Sequence, residues 1–414
     1  MAVALVLLLT SIPVFAATQE GAQQTRILRV GPGRTYAKPS DAARAAGDDD
    51  VIEIDAGVYL GDVAVWTKNG LTLRGVGGMA HLKANGKSAQ RKAIWVIQGD
   101  NTTVENIEFS GAKVRDRNGA GIRQEGAGLT VRNCFFHDNQ EGILSGTNLD
   151  SDILIEHSEF ARNGYSDGQA HNLYIGRVRS FTLRFSYVHH AVIGSNVKSR
   201  ALANRIEYNR IMDGSDGRVN YSIDLSDGGL SFIIGNVIQQ GPKTENYHLI
   251  TFAPEGAGPG RNELFVVNNT LVNDRSSGVF VRNKTRIAAH LYNNLFVGQG
   301  EVVTGDAILF GNVHARREGL RERAKRWIFG NHENPLGGLP GSAKNKLVEA
   351  PGFVAPMRRN YRLAPESPAI DAGVALETAD GVDLTPRFEP GPPEKTIKRP
   401  QHGPLDAGAY EYVE

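Results

Sequence analysis

Hydrophobic and polar positions alternate in short stretches that recur along most of the chain. Eight six-residue segments share this alternation, end on an apolar residue and often contain Asn: VENIEF (104–109), VRNCFF (131–136), IEHSEF (155–160), LRFSYV (183–188), IEYNRI (206–211), IIGNVI (233–238), VVNNTL (266–271) and LYNNLF (291–296). Their last residues are 27, 24, 28, 23, 27, 33 and 25 residues apart. Such a repeat, without helical periodicity, predicts parallel strands stacked coil on coil, with the recurring Asn forming a ladder at a turn.

A second set of short segments lies between these units and carries polar residues at matching positions. The first three are NLYIG (172–176), NVKSR (196–200) and SIDLS (222–226). Their register aligns the aliphatic residues Leu173, Val197 and Ile223. It also aligns the polar residues Tyr174, Lys198 and Asp224. Because side chains alternate between the faces of a strand, we expect the aliphatic column in the core and the polar column on one outer surface.

Two further segments, HLITF (248–252) and GVFVR (278–282), extend this register. It predicts an adjacent outward column of Asn172, Asn196, Ser222 and His248, and a third column of Gly176, Arg200, Ser226, Phe252 and Arg282. Strands about 4.8 Å apart would spread three polar residues over about 10 Å, the scale of one or two sugar rings. We therefore expect substrate contacts from His171, Asn172, Asn196, Ser222, His248 and Glu255.

The repeat resembles the right-handed parallel β-helix family, which includes the pectate lyases and their relatives, over residues 27–310. The resemblance implies an all-β, single-stranded solenoid. A short Ala-rich helix from Pro39 is expected to cap its N-terminal end. Residues 311–414 are expected to form an irregular C-terminal cap, in which SPAIDAG (367–373) and DAGAYEY (406–412) resemble tail segments of bacterial β-helix proteins. A basic helix is predicted over 311–330, with Leu320 and Trp327 facing inward.

Composition and the N-terminal sequence favour an exported protein that neither binds nucleic acid nor spans a membrane. The formal net charge of +1 over 414 residues predicts no general attraction to nucleic acid or to a membrane. Residues 1–17 (MAVALVLLLTSIPVFAA) resemble a secretory signal peptide, which implies a secreted or periplasmic location. The apolar run is too short for a membrane span. The single cysteine, Cys134, excludes an intramolecular disulfide, and we expect a monomer.

Lys198 is the strongest catalytic candidate. The segment VKSRALANRIEYNRI (197–211) resembles the Lys-Ser segment in the polysaccharide lyase family of chondroitinase B and the alginate lyases. In that family the lysine removes the C5 proton of a uronate and calcium neutralises the carboxylate, so the resemblance implies that Lys198 is the base. Ala191 and Ile193 stand where the family has calcium-binding carboxylates, and Asp224 stands where it has a catalytic arginine. No cofactor is predicted, because calcium lacks its expected ligands.

Removing a proton next to a carboxylate requires a cation or a strong donor at that carboxylate. Arg200 is the candidate, with Asn172, Asn196 or His171 assisting. A neighbouring arginine is expected to lower the pKa of Lys198 toward working pH. Tyr174 would protonate the leaving O4, or act as the base beside a charged Lys198. These residues predict a lyase that cleaves an acidic polysaccharide by β-elimination.

Other activities remain open on the same residues. Asp224 and Asp227, with Glu245 or Glu255, would suit a polygalacturonase-like glycoside hydrolase, which needs two carboxylates. A uronate C5-epimerase needs nearly the same groups as a lyase. A non-catalytic glycan-binding protein is the fourth interpretation. No metal site is predicted, because no recognised ligand spacing occurs among the candidate histidines His171, His189, His190 and His248.

Overall fold

The computed structural model describes residues 25–316 and 343–414. The predicted signal peptide, residues 1–17, lies outside the described residues, and so does most of the helix predicted over 311–330, including Leu320 and Trp327. The start of that stretch instead forms a β-strand, Val313–Ala315. Within the described ranges, every helix is too short or too polar to cross a membrane.

Ten parallel strands form one face of a solenoid, here called the front sheet. In chain order they are Ala64–Trp66, Ala93–Ile97, Ala120–Gln124, Glu141–Ser145, Leu173–Ile175, Val197–Ser199, Ile223–Leu225, His248–Phe252, Val279–Asn283 and Glu301–Thr304. Each strand pairs with the front-sheet strand of the next coil. Residues one coil apart therefore become lateral neighbours on this face.

A second sheet of 22 strands makes up the other two faces of the solenoid, and Val51–Leu60 and Thr72–Lys83 run across both of them. The second face contains Ile27–Val30, Thr102–Glu105, Leu129–Arg132, Asn148–Glu156, Val178–Arg184, Ala203–Glu207, Leu230–Ile234, Leu264–Val267, Ala289–Tyr292 and Ala307–Phe310. The third face contains Ile107–Ser110, Phe135–His137, Glu159–Ala161, Tyr187–His189, Arg210–Met212, Val237–Gln240, Thr270–Asn273, Leu295–Gly298, Val313–Ala315 and Lys346–Val348.

The eight apolar residues that end the repeat units form one continuous column of the third face. The column consists of Phe109, Phe136, Phe160, Val188, Ile211, Ile238, Leu271 and Phe296. All eight are buried, and the three phenylalanine rings at its start stack with centroids 4.8 Å apart. The predicted fold, an all-β, single-stranded right-handed parallel β-helix, is confirmed.

Each six-residue repeat unit is two strands rather than one. Asn106 separates Thr102–Glu105 from Ile107–Ser110, and its φ of 58° lies in the left-handed region. Asn133 and Asn268 occupy the same place in later coils, each with a φ of 49°. Asn enters this region at lower cost than most residues, which explains its recurrence. The alternation in the sequence therefore continues across a sharp corner between the second and third faces.

The Asn that follows this corner forms the ladder predicted from the sequence. The side-chain amide of Asn209 donates to Asn236 at 3.0 Å, and that of Asn236 donates to Asn269 at 2.9 Å. The series continues through Asn294 and Asn312. All five side chains are buried, so each amide must find its partners within the solenoid.

The two ends of the solenoid are covered differently. The helix Pro39–Ala45 lies over the N-terminal end and buries Ala42, as predicted for a capping helix. At the other end the parallel ladder continues through Lys346–Val348, past residue 310, where the sequence-based β-helix ends.

The rest of the C-terminal segment consists of short antiparallel pairs and one 3₁₀ helix. The pairs are Phe353–Ala355 with Asn360–Leu363, Thr378–Ala379 with Val382–Asp383, and Phe388–Glu389 with Ile397–Lys398, and the 3₁₀ helix is Pro356–Arg358. This segment packs along the outside of the solenoid, where Leu384 joins Phe232 and Phe265 in a buried cluster.

Candidate functional site

Tyr174, Lys198 and Asp224 lie side by side on the outside of the front sheet, in the register predicted from the sequence. Each is the middle residue of a three-residue strand. The preceding residue of each strand is buried in the core: Leu173, Val197 and Ile223. Because side chains alternate, each of these strands presents a single outward side chain. We call Tyr174, Lys198 and Asp224 the central row.

The central row continues in both directions along the front sheet. Arg123 lies two coils before Tyr174, and Arg282 lies two coils after Asp224. The sequence-based register begins at residue 172 and does not include Arg123. The segment AGIRQ (120–124) has the same apolar alternation, so extending the repeat toward the N-terminus would have located it.

Arg200 follows the strand Val197–Ser199 and joins several parts of the site. Its Nε donates to the hydroxyl oxygen of Tyr174 at 3.1 Å. Its two terminal nitrogens donate to Asp227 and Glu255, which lie in turns of the following coils. Burial disfavours the charge, but hydrogen bonds with Glu255 and Tyr174 hold the pKa of Arg200 above its usual range. The site therefore contains a permanent cation in contact with a phenol.

Lys198 is held between two carboxylates. Its Nζ lies 3.1 Å from Glu255 Oε1, 3.5 Å from Asp224 Oδ2 and 5.4 Å from the centre of the Tyr174 ring. Burial lowers the pKa of Lys198, but the charges of Asp224 and Glu255 outweigh burial, and the pKa is raised. The expectation that Arg200 lowers this pKa is wrong, because carboxylates neutralise that guanidinium and also contact Lys198 directly.

The two carboxylates beside Lys198 have different environments. Asp224 is buried, and burial raises its pKa more than the charge of Lys198 lowers it. The side chain of Glu255 is 48 % exposed. Its partial burial is outweighed by hydrogen bonds from Arg200 and Lys198, which lower its pKa. Glu255 is therefore the more firmly ionised of the two, and Asp224 accepts a proton more readily.

A cleft of about 530 Å³ opens beside the central row, on its N-terminal side. Its lining includes Tyr174, Arg200, Arg123, Glu141, Asp116 and Asp167. The volume falls within the range of about 300–1,000 Å³ that is usual for small-ligand sites. Lys198 lies one strand beyond Tyr174, next to a residue of the cleft lining. The phenol of Tyr174 and the guanidinium of Arg200 are therefore accessible to a ligand in the cleft.

Behind Tyr174, His171 and Glu141 form a buried support that the sequence did not indicate as such. The backbone N–H of His171 donates to Glu141 Oε2 at 2.9 Å, and His171 Nδ1 accepts from the backbone N–H of Ser195 at 2.9 Å. Burial and neighbouring cations lower the pKa of His171 to about 3, and burial raises that of Glu141 well above its usual value. The His171 ring packs edge-on against Tyr174, with centroids 5.3 Å apart. His171 therefore positions the Tyr174 ring.

Asn172, Asn196 and Ser222 do not line the outer surface, so their predicted placement is wrong. All three are 0 % exposed. The amide of Asn172 donates to Asn196 at 2.8 Å, in a ladder that also includes Asn139 and Asn163. The residue before each short strand lies at a corner of the coil, where neighbouring coils enclose its side chain. The inward and outward alternation of side chains holds within the strand but not for the residue at this corner.

The predicted register of His248 is off by one residue. Thr251 is the residue that pairs with Asp224. The strand His248–Phe252 is five residues long, two longer than its neighbours in the central row, so aligning it from its first residue misplaces it. His248 is buried and its Nδ1 contacts Asn246 Oδ1 at 2.8 Å. Burial and a nearby arginine lower the pKa of His248 to about 4.

The carboxylates around Lys198 do not fit a calcium ion, which takes about six to eight oxygen ligands. Asp227 forms ion pairs with both Arg177 and Arg200. Glu255 forms ion pairs with both Lys198 and Arg200. The same cations would repel a divalent ion. An arginine, Arg200, is therefore the group at this site that is suited to bind a carboxylate.

No known protein family matches the sequence, and no curated protein matches it. Among solved structures, pectate lyase Pel9A has a TM-score of 0.57 at 15% identity, over 90% of this chain and 98% of that one. Geobacillus virus E2 ORF18 has a TM-score of 0.39 at 14% identity, over 65% and 50%. Pectin methylesterase PemA from Erwinia chrysanthemi has a TM-score of 0.30 at 11% identity, over 78% and 99%. The likeness to Pel9A shows that this chain has the right-handed parallel β-helix fold of that pectate lyase.

Proposed function

We propose that the protein is a lyase that cleaves an acidic, uronate-containing polysaccharide by β-elimination. The observation that supports this most directly is the hydrogen bond between Arg200 and Tyr174, beside Lys198 and at the edge of an open cleft. β-Elimination needs a cation at the carboxylate, a base for the C5 proton and an acid for the leaving oxygen. These three side chains have the chemistry for the three roles.

Arg200 is proposed to neutralise the substrate carboxylate. Its planar guanidinium binds carboxylates in a two-pronged geometry, and its present partner Glu255 is exposed enough to be displaced. A substrate carboxylate at this position would keep Arg200 in contact with Tyr174. Arg123, also in the cleft lining, would meet a carboxylate on a neighbouring sugar.

Lys198 is proposed as the base, with Tyr174 protonating the leaving O4. The Lys-Ser segment beginning at Val197, which resembles the chondroitinase B and alginate lyase family, supports this assignment. Because its pKa is raised, Lys198 is almost entirely protonated near neutral pH. The proposed lyase therefore works best under alkaline conditions.

A panel of uronate polysaccharides incubated with the full chain tests this proposal. Ultraviolet absorbance of the new C4–C5 double bond reports elimination, and a parallel assay counts reducing ends. We expect both signals to rise together, with and without a chelator. Lys198→Ala should lower the rate at least about a hundredfold while circular dichroism shows an intact fold. Undiminished activity of that variant would remove Lys198 from the mechanism.

A glycoside hydrolase is the second candidate, favoured by one observation. Asp224 and Glu255 contact the same Lys198 nitrogen, and their environments push their pKa values in opposite directions. Such pairs supply an acid and a base in glycosidases. Asp224 would be the acid, and Glu255 the base or nucleophile.

The products separate these activities. A hydrolase forms reducing ends without a double bond, and both Asp224→Asn and Glu255→Gln would abolish its activity. A C5-epimerase changes the stereochemistry of the uronate without cleaving the chain. A glycan-binding protein retains the polysaccharide without converting it. Only the lyase forms the unsaturated product.

We also propose that the protein is exported and acts as a monomer. The resemblance of residues 1–17 to a signal peptide supports export. Cell fractionation with N-terminal sequencing of the mature protein tests the first point. Light scattering after size-exclusion chromatography tests the second.

A further inference from the structure

His81, Glu108 and His137 converge on the third face of the solenoid, whereas the central row belongs to the front sheet. Glu108 Oε1 lies 3.4 Å from His81 Nε2 and 2.9 Å from His137 Nε2. The potential ligand atoms of the three side chains all lie within 4.8 Å of one another. Within residues 25–316 and 343–414, this is the one group of three such side chains that meets so closely.

The register of the third face brings these residues together. His81 pairs directly with Glu108 on the next coil. His137, one coil further, pairs with Ser110, two residues beyond Glu108 and on the same side of the strand. Phe109, between Glu108 and Ser110, is buried in the core. The three polar side chains therefore project outward from three successive coils.

His137 is held as a metal-binding histidine usually is. Its Nδ1 lies 2.6 Å from Asp138 Oδ2, and Asp138 is bound by two nitrogens of Arg162 at 3.0 Å each. The Phe135 ring stacks on the imidazole with centroids 4.4 Å apart. A carboxylate on the far nitrogen fixes the tautomer and directs the lone pair of Nε2 toward the shared centre. That lone pair faces an oxygen of Glu108, so the contact needs a proton or a cation between them.

We propose that His81, Glu108 and His137 bind one zinc-class divalent transition-metal ion. Two imidazole nitrogens and one carboxylate oxygen form a ligand set that Zn²⁺ prefers and that Ca²⁺ and Mg²⁺ do not. A tetrahedral ion with bonds of about 2.0–2.1 Å holds its ligand atoms about 3.3 Å apart. The distances of 2.9 and 3.4 Å bracket that value. The ligand side chains are 16–25 % exposed, which leaves an entry path and room for a water as fourth ligand.

The bound ion would clamp three successive coils near the N-terminal end of the solenoid. The chain has one cysteine, Cys134, so no disulfide within the chain can provide such a link. An ion that binds the folded state stabilises it in proportion to the logarithm of its concentration over Kd. Zn²⁺ should therefore raise the melting temperature, even in variants without activity.

The test uses tag-free full-length protein dialysed against a chelator and then titrated with Zn²⁺. Calorimetry and elemental analysis should show one equivalent bound, with a rise in melting temperature, whereas Ca²⁺ and Mg²⁺ produce neither effect. His137→Gln and Glu108→Gln should each remove saturable binding. Asp138→Asn removes the carboxylate that positions His137, and it also weakens the exposed ion pair with Arg162. It should weaken Zn²⁺ binding about 10–100-fold and change the metal-free melting temperature only slightly, because exposed ion pairs contribute little to stability.

The same face offers a matched control. His189 Nε2 lies 3.0 Å from Glu159 Oε1, but its other nitrogen contacts His190 instead of a carboxylate. His189→Gln should bind Zn²⁺ like the wild type. The proposal is overturned by absence of one-to-one binding in the wild type, by unchanged binding in the His137 and Glu108 variants, or by equal loss in His189→Gln.

Discussion

Lys198 Nζ lies 3.1 Å from Glu255 Oε1, although the two residues are 57 positions apart in the chain. The other oxygen of Glu255 binds Arg200, so one carboxylate from two coils further along the solenoid holds both cations of the proposed mechanism. Glu255 is half exposed, while Asp224, the other anion beside Lys198, is buried. The charge state of Lys198 therefore depends on a residue that can be replaced without opening the core.

Glu255→Gln should move the pH–activity profile toward lower pH. The substitution removes one of two negative charges that raise the pKa of Lys198, so this pKa falls. A base becomes active as pH rises through its pKa, and the rising limb should therefore shift by on the order of one pH unit. The measurement is kcat/KM for elimination across neutral to strongly alkaline pH.

Glu245→Gln is the matched control for this shift. Glu245 forms an ion pair with Arg218 and is similarly exposed, but it does not contact the central row. Its profile should coincide with the wild type. A profile of Glu255→Gln that also coincides would show that Lys198 is not the titrating base.

Replacing Arg200 and Tyr174 should affect different kinetic constants. Arg200→Lys keeps the charge but loses the planar fork, and we expect kcat/KM to fall by about 10²–10³. Tyr174→Phe removes only the hydroxyl that contacts Arg200, and we expect kcat to fall by about 10²–10⁴ with little change in KM.

Arg282→Lys provides the reference for both variants. Arg282 belongs to the same outward row but lies two coils beyond Asp224. Its substitution should leave kcat within a few-fold of the wild type. Equal losses in all three variants would indicate general binding of an anionic chain and contradict distinct roles for Arg200 and Tyr174.

Much of the scaffold could be predicted from the sequence because the repeat is periodic. Apolar residues such as Phe136 and Val188 recur once per coil, and the coil length alone determines which residues become neighbours. The same property located Lys198 beside Tyr174 and Asp224. The alternation of apolar and polar residues predicts whether a side chain points inward or outward only where the strand is straight.

The corners and turns of the coils could not be predicted in this way. Asn196 follows the alternation of an outward residue, yet a corner encloses it. Glu255 reaches Lys198 from a turn whose path depends on backbone geometry rather than on periodicity. In the group of His81, Glu108 and His137, His81 pairs directly with Glu108 on the next coil. His137, one coil further, pairs with the residue two positions after Glu108. No spacing within one segment reveals such a group.

Asp213 should make the folded protein less stable as pH rises. Burial raises its pKa to about 7, and within the described residues its Oδ2 has no hydrogen-bond partner. Between the unfolded value of 3.8 and about 7, the folded state keeps a proton that the unfolded state releases. Stability therefore falls across this window by on the order of 4 kcal/mol and then levels off. Asp213→Asn should lack this loss.

Urea unfolding of both proteins at acidic, neutral and alkaline pH measures the difference. The stability of Asp213→Asn relative to wild type should increase from acidic to alkaline pH. Asp150→Asn, at an exposed position, is the control and should stay parallel to wild type. A constant offset between Asp213→Asn and wild type would show that Asp213 ionises without penalty.

Asn196→Ala should impair stability and leave substrate affinity intact. Asn196 Oδ1 accepts from the side-chain amide of Asn172 and from the backbone N–H of Ala191. Each buried donor left unpaired costs about 1–3 kcal/mol, so the urea midpoint should fall clearly. Exposed Asn118→Ala should stay within about 0.5 kcal/mol of wild type. If Asn196 contacted the polysaccharide instead, KM would rise while the midpoint stayed near that of the Asn118 variant, because a surface contact leaves no unpaired donor in the core.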